Sequence, residues 1–131
     1  MHIEIAKKTV AKSDKELFEF LSDVKNYEQL MPDTIDTFAV IDENTFRFIL
    51  KGMPEIYLRI VEQVPHEKIV LAAPSKKLSF DLTISIEALN ESSSEFEMDF
   101  QGKFNTMMAM MIKRPITNFM ETLSTNLSSL S

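Results

Sequence analysis

The sequence predicts an α+β protein in which a curved antiparallel sheet of six or seven strands wraps around a long carboxyl-terminal helix. Apolar and polar residues alternate with a period of two through the middle of the chain, and its last part carries an apolar stripe of helical period. A strand with one apolar face is typical of an antiparallel sheet with one face in water. The helical stripe needs an apolar surface to cover it, so the helix is expected on the concave face of the sheet. Residues 1–131 are expected to form a single domain.

The amino-terminal part predicts one strand followed by two short helices. Alternating apolar residues indicate an opening strand that runs to about Ala11. Ser13 and Glu16 have the spacing of a capping box, in which each side chain bonds to the backbone amide of the other residue, so a helix is expected to begin there. Asp23 opens a second short helix. Pro32 ends it, because the residue before a proline disfavours the helical conformation.

The middle of the chain predicts about six further strands, each with one apolar face. They run from about 35 to 41, 45 to 51, 55 to 64, 68 to 73, 78 to 88 and 95 to 104. The clearest alternation lies in the fifth of these segments, where one face holds Leu78, Phe80, Leu82, Ile84, Ile86 and Ala88. The polar residues between them are expected to point into water.

The segment from 106 to 130 predicts the long helix. Its apolar stripe consists of Met108, Met111, Ile112, Ile116, Phe119, Met120, Leu123, Leu127 and Leu130. Met107 and Met110 fall on the polar face, so the first turns are apolar all round and something is expected to cover their outer surface. Pro115 lies inside this pattern. It either kinks the helix, because it lacks an amide donor, or it occupies the first turn of a separate helix.

The methionines of the first turns allow three interpretations. Methionine at helical spacing most often fills a core. Because an unbranched thioether adapts to varied shapes, these residues also suit the mouth or wall of a ligand cavity. A partner protein or a second copy of the chain would cover Met107 and Met110 equally well.

Composition and charge disfavour several classes of function. The net charge of −6 disfavours binding to nucleic acid or to anionic bilayers, and the basic residues form no long stripe. There is no cysteine, and the two histidines are isolated, so neither a metal site nor a cofactor is predicted. No apolar run is long enough for a membrane span and the amino end does not have the pattern of a signal peptide, so a cytoplasmic location is expected.

The passage VAKSDKELFEFLSDVKNYEQLMP resembles the opening of the START-like superfamily, also called helix-grip, SRPBCC, birch-pollen-allergen-like or polyketide-cyclase-like. The matching positions are Leu17, Phe18, Leu21, Ser22, Asp23, Tyr27, Leu30 and Pro32. The order of elements agrees over nearly the whole chain. The resemblance implies the fold and a cavity between sheet and helix, which in that superfamily holds lipids, sterols, polyketides, hormones or quinone-like molecules. Some members are cyclases or dehydratases, but the resemblance carries no shared catalytic motif.

The first functional hypothesis is noncatalytic binding or carriage of an apolar or amphipathic small molecule, such as a lipid, a polyketide or a quinone-like compound. The predicted cavity lining is Phe48, Leu58, Phe80, Leu82, Met98, Phe100, Met108, Met111, Phe119 and Met120. The predicted cavity mouth is Tyr27, Met31, Met107 and Met110. No catalytic residue is predicted, since the pattern places no carboxylate or histidine in an apolar environment that would shift its pKa.

Two alternatives belong to other classes. The first is a cyclase-like or dehydratase-like enzyme that uses Tyr57 or Arg59, which requires a strand register that turns Arg59 or Asp81 into the cavity. The second is an interaction module in which the turn from Met107 to Met111 docks a partner or a second copy. A filled interior beside an exposed methionine surface favours the second alternative.

Overall fold

The computed structural model describes residues 1–51, 53–73 and 79–130. Its helices are α1 (Asp14–Ser22), a 3₁₀ helix (Val24–Leu30) and α2 (Thr106–Ser128). Its strands are β1 (His2–Val10), β2 (Thr37–Asp42), β3 (Thr45–Ile49), β4 (Ile56–Val64), β5 (Lys68–Ala73), β6 (Phe80–Asn90) and β7 (Ser93–Gly102). The strands form one antiparallel sheet in the order β1-β7-β6-β5-β4-β3-β2. The predicted fold class is confirmed.

The two short helices begin as the sequence predicts. The Ser13 hydroxyl accepts a hydrogen bond from the Glu16 amide at 3.1 Å, and the Glu16 carboxylate accepts one from the Ser13 amide at 3.2 Å. This second bond lowers the pKa of Glu16, because it stabilises the charged form. The next helix is a 3₁₀ helix, which the Asp23 carboxylate caps by accepting from the Lys25 amide at 3.1 Å. It ends before Pro32, as predicted.

The inner face of the sheet is apolar in the predicted register. Its buried residues on β3, β4, β6 and β7 are Phe46, Phe48, Ile56, Leu58, Ile60, Phe80, Leu82, Ile84, Ile86, Phe96, Met98 and Phe100. Ala88 continues this face opposite Ser94 of β7, but it is exposed, because β6 is exposed on both faces from Glu87 to Asn90. Leu78, also predicted for this face, lies outside the described residues.

The sheet must curve around α2, because the helix contacts strands that are far apart in the sheet. Helix α2 packs beside β1 and β7, and its Phe119 ring stacks on Phe48 of β3 with ring centroids 4.9 Å apart. Strands β1 and β3 are first and sixth in the strand order. In a flat sheet they would lie roughly 24 Å apart. Phe119 and Ser128, which contact β3 and β1, are only about 14 Å apart along the helix axis.

Helix α2 is continuous through Pro115, which excludes the alternative that Pro115 opens a separate helix. The helix begins after Asn105, whose side-chain oxygen accepts from the Met108 amide at 2.8 Å. Pro115 has no amide hydrogen to offer to the Met111 carbonyl one turn earlier. Although α2 has 23 residues, no helix in the described part of the chain is long and apolar enough to cross a membrane.

The apolar stripe of α2 is confirmed with one correction. Its buried apolar residues are Ile112, Ile116, Phe119, Met120, Leu123 and Leu127. Met111, which was predicted for this stripe, is 68% exposed. It directly precedes Ile112, and a step of one residue turns the side chain by about 100° around the helix, away from the sheet.

The contact between Phe48 and Phe119 predicts a large effect of Phe48→Ala. Removing the buried ring leaves a cavity between sheet and helix, so the free energy of unfolding is expected to fall by about 3–5 kcal/mol. Urea denaturation measures this loss. Leu89→Ala, at a residue 51% exposed on β6, is the matched control and is expected to change stability by less than about 0.5 kcal/mol. A similarly small effect of Phe48→Ala would contradict the packing described above.

Candidate functional site

A half-open pocket of about 320 Å³ lies where three segments of the chain meet. The first is the turn after the 3₁₀ helix, which the Ile35 amide closes by donating to the Pro32 carbonyl at 3.1 Å. The second is the turn after β3, in which the Met53 amide donates to the Leu50 carbonyl at 2.9 Å. The third is one flank of α2. The lining residues are Pro32, Thr34, Leu50, Lys51, Arg114, Pro115, Asn118, Phe119 and Thr122.

The pocket has an apolar floor and a polar rim. Leu50 and Phe119 are buried, and the rings of Pro32 and Pro115 are half-buried beside them. The rim consists of Thr34, Lys51, Arg114, Asn118 and Thr122, whose side chains are exposed or half-buried. An apolar wall with a few converging polar groups is the usual composition of a small-molecule site.

An aromatic stack lies behind Phe119 in the core. Phe119 lies on Phe48, Phe48 on Phe46 at 5.9 Å between centroids, and Phe46 on Tyr27 at 4.8 Å. These rings occupy the space between the end of the sheet and the middle of α2. The pocket therefore stays on the flank of the helix.

Among the predicted lining residues, Phe119 borders this pocket. The others on the sheet and in the middle of α2 are buried within the core, namely Phe48, Leu58, Phe80, Leu82, Met98, Phe100 and Met120. Met108 is half-buried against the core, and Met111 is exposed. The predicted lining thus forms the packed inner face that supports the pocket.

The residues predicted for the mouth divide into two groups. Tyr27 and Met31 are buried, and the Tyr27 hydroxyl donates to the Leu21 carbonyl at 2.7 Å. This bond satisfies the phenol and lets the side chain lie in the core. Met107 and Met110 are 74% and 78% exposed on the first turns of α2. Pro32, which follows Met31, is the part of this region that borders the pocket.

Other polar features lie on the outer surface. The rings and carboxylates of His2, Glu4 and Asp99 bring their ligand atoms within 4.8 Å of one another, and His2 bonds to Asp99 at 2.7 Å across β1 and β7. The sequence did not reveal this cluster, because a cross-strand pair joins residues that are far apart in the chain. Exposed acidic clusters are common in proteins that bind no metal ion, so we assign no function to this one. A more polar depression of about 460 Å³ lies beside this cluster. Its lining residues are Met1, His2, Ser79, Phe80, Asp81, Gln101, Gly102 and Lys103.

The structure places the residues of the enzymatic alternative outside the core. Arg59 and Asp81 are exposed, and Tyr57 lies half-buried on the outer face, where its hydrogen bond with Glu55 raises its pKa. The buried polar residues in the described part of the chain are Thr45, Ser94 and Ser124. Within that part, no carboxylate, histidine, lysine or arginine side chain is buried, and the one buried titratable group is the Tyr27 phenol.

Comparisons at the level of sequence identify no relative: no protein-family model and no curated protein matches the chain. Solved structures do match. A START superfamily protein from Mycobacterium smegmatis superposes with a TM-score of 0.70 at 14% identity, over 99% of both chains. The chain has the START-like helix-grip fold.

Two further structures share this START-like fold. Norcoclaurine synthase from Thalictrum flavum, in complex with dopamine and hydroxybenzaldehyde, matches with a TM-score of 0.68 at 9% identity, over 95% of this chain and 86% of the synthase. A protein from Chromobacterium violaceum matches with a TM-score of 0.68 at 12% identity, over 98% of both chains. At these identities the likeness is one of fold.

Within the START-like fold, sequence reasoning missed most of the pocket rim. Lys51, Arg114, Asn118 and Thr122 belong to elements that were predicted, but the pocket arises only from their meeting with the turn at Pro32. The signal that was available is the spacing on α2. Arg114, Asn118 and Thr122 follow one another at intervals of four residues and therefore share one flank of the helix.

The buried phenol of Tyr27 predicts a loss of stability at alkaline pH. Burial raises the pKa of Tyr27 above its ordinary value of 10.0, whereas the unfolded chain releases this proton near that pH. The folded state then holds one proton more, so the free energy of unfolding falls as the pH rises above about 10. In Tyr27→Phe, the part of the fall in unfolding free energy that comes from Tyr27 is absent. The part that comes from Tyr57, whose pKa is also raised, remains.

Urea denaturation of both proteins at about pH 8 and about pH 11 measures the difference. At the lower pH, Tyr27→Phe is expected to cost about 1–3 kcal/mol, because the buried Leu21 carbonyl loses its donor. Equal pH dependence in the two proteins would show that the phenol ionises in the folded state.

Proposed function

We propose that the protein binds or carries an amphipathic small molecule in the pocket between α2 and the turns at Pro32 and Lys51, without catalysis. The observation that carries the proposal is the composition of this pocket, an apolar floor beneath a rim with two basic side chains. The cytoplasmic location predicted from the sequence is part of the same proposal.

The floor suits the apolar part of such a ligand. Phe119 and Leu50 are held from behind by the core, and the rings of Pro32 and Pro115 are rigid, so little side-chain freedom is lost on binding. Burial of apolar area contributes roughly 25 cal/mol per Å². The predicted lining residues of the sheet contribute indirectly, by fixing Phe119 from behind.

The rim suits an acidic group on the ligand. Neither Lys51 nor Arg114 forms an ion pair or a side-chain hydrogen bond with another residue in the described part of the chain. Asn118 and Thr122 add neutral hydrogen-bonding groups to the same lining. Asp33 is exposed between two lining residues and is not itself in the lining. A carboxylate or sulfonate at the rim therefore meets two free cations, while the apolar part lies on the floor.

The size of the pocket limits the ligand to a small molecule. About 320 Å³ lies at the lower end of the range for ligand sites. Norcoclaurine synthase, which shares the fold, holds dopamine and hydroxybenzaldehyde in its structure. These compounds are small aromatic molecules, which supports a ligand of that size here.

Asn118→Trp tests the location of the site. Asn118 is exposed and lines the pocket, so a tryptophan there fills the pocket without disturbing the core. We expect wild-type protein to enhance the fluorescence of 1-anilinonaphthalene-8-sulfonate, an anionic amphipathic probe, and Asn118→Trp to lose this binding. Gln63→Trp, at an exposed neutral residue of β4, is the matched control and should bind as the wild type does. Equal loss in both variants, or no binding by the wild type, contradicts the proposal.

A double substitution of Lys51→Gln and Arg114→Gln tests the acidic group. The double variant loses two exposed charge pairs with the sulfonate. Its affinity for 1-anilinonaphthalene-8-sulfonate is therefore expected to be about tenfold weaker than that of the wild type. The affinity for N-phenyl-1-naphthylamine, which has the same rings without the sulfonate, should change little. If the affinities for both probes fall together, the substitutions act on pocket shape, and the assignment of the rim to an acid is wrong.

A further inference from the structure

The first turns of α2 expose a compact apolar surface. Met107, Met110 and Met111 are 74%, 78% and 68% exposed, and their spacing of three and four residues places them side by side on the outward face of the helix. These three residues are called the methionine patch below. The same face becomes polar one and two turns later, with Arg114 and Asn118. The apolar outer surface is thus confined to the tip of the helix.

The methionine patch has no role in the core of the described chain. Exposed side chains of this kind contribute little to stability, and an exposed apolar cluster on a helix is typical of a contact with another surface. A stable dimer buries roughly 800 Å² on each partner, or about 20 residues. Three methionines at a helix tip are few for such an interface, and they suit a surface into which a small tip can insert.

The chain on either side of the patch is basic, which favours a negatively charged surface. From Gln101 to Met120 the chain carries Lys103, Lys113 and Arg114 and no acidic residue, although the whole protein has a net charge of −6. All three basic residues are exposed. The amino terminus of α2 adds the positive end of the helix dipole, and its first turn contains no acidic residue.

We propose that the methionine patch docks on an anionic lipid bilayer, with Lys103 and Lys113 on the lipid head groups. Apolar side chains flanked by lysine or arginine are the composition that binds the interface of such bilayers. Arg114 and Pro115 lie one turn beyond the patch and border the pocket. Docking therefore brings the pocket entrance close to the lipid surface, where an amphipathic acid is concentrated.

The net charge of the protein limits this contact to the helix tip. Acidic surfaces elsewhere are repelled by an anionic bilayer, so binding depends on a local basic cluster whose attraction extends about 10 Å at ordinary salt. Binding is consequently expected to be reversible and to weaken as salt concentration rises. The proposal departs on this point from the expectation, based on overall charge, that anionic bilayers are disfavoured.

Co-sedimentation of the purified protein with phospholipid vesicles tests the proposal. We expect binding to phosphatidylcholine vesicles that contain phosphatidylglycerol and little binding to phosphatidylcholine alone. The triple variant M107S, M110S and M111S should lose binding by roughly tenfold or more, because it removes the inserted apolar groups. Lys103→Gln and Lys113→Gln should each weaken binding by about fivefold. Leu89→Ser, at an exposed apolar residue outside the patch, is the matched control and should bind as the wild type does.

Two results would overturn the proposal. The first is vesicle binding that is absent, or unchanged in the methionine variant. The second is a dimer of the wild type that the same three substitutions convert to a monomer in sedimentation velocity, which would assign the patch to a second copy of the chain. Urea denaturation of the triple variant should match the wild type, so that loss of binding is separated from loss of folding. Probe binding in the pocket is measured independently and does not decide this result.

Discussion

The packing of α2 into the curved sheet is the constraint on which the rest of the structure depends. The sheet has one apolar face, and the buried stripe of α2 covers it together with α1 and the 3₁₀ helix. Because Phe119 reaches Phe48 on β3 while the same helix packs beside β1 and β7, the sheet has to curve. The curvature brings the turns at Pro32 and Lys51 against the flank of α2. The pocket is thus a consequence of the way in which the sheet closes around the helix.

The two ends of α2 are held by different forces. Near its carboxyl terminus the Asn126 amide donates to the Leu30 carbonyl at 2.9 Å, the Ser128 hydroxyl donates to the Thr9 carbonyl at 2.6 Å, and Lys8 donates to Thr125 at 3.0 Å. Within the described residues, no such side-chain bond joins the amino-terminal half to the sheet. That half is held by apolar contacts on one side and presents methionines on the other. The helix therefore has an anchored end, a central flank with the pocket, and an apolar tip.

Local signals were enough to predict most of the fold. The capping box at Ser13, the period-two faces of the strands and the stripe from Ile112 to Leu127 depend on short-range geometry, which the sequence contains. The pocket was not predictable in the same way, because its lining comes from three segments spread over about 90 residues of the chain, from Pro32 to Thr122. The burial of Tyr27, which was predicted for the cavity mouth, was also beyond local reasoning, because it depends on the Leu21 carbonyl as a hydrogen-bond partner. Met111 was predicted for the buried stripe but lies outside it, because the stripe begins one residue later, at Ile112.

The most direct test of the account is a titration of isotopically labelled protein with decanoate, followed through its backbone amide resonances by NMR. Decanoate has an acidic group and an apolar chain, and it absorbs no light that would disturb other assays. The account predicts saturable shifts at Thr34, Lys51, Asn118, Phe119 and Thr122, on the three segments that form the pocket. Shifts confined to the polar depression lined by His2, Asp81 and Gln101, or no saturable shift at all, would contradict it.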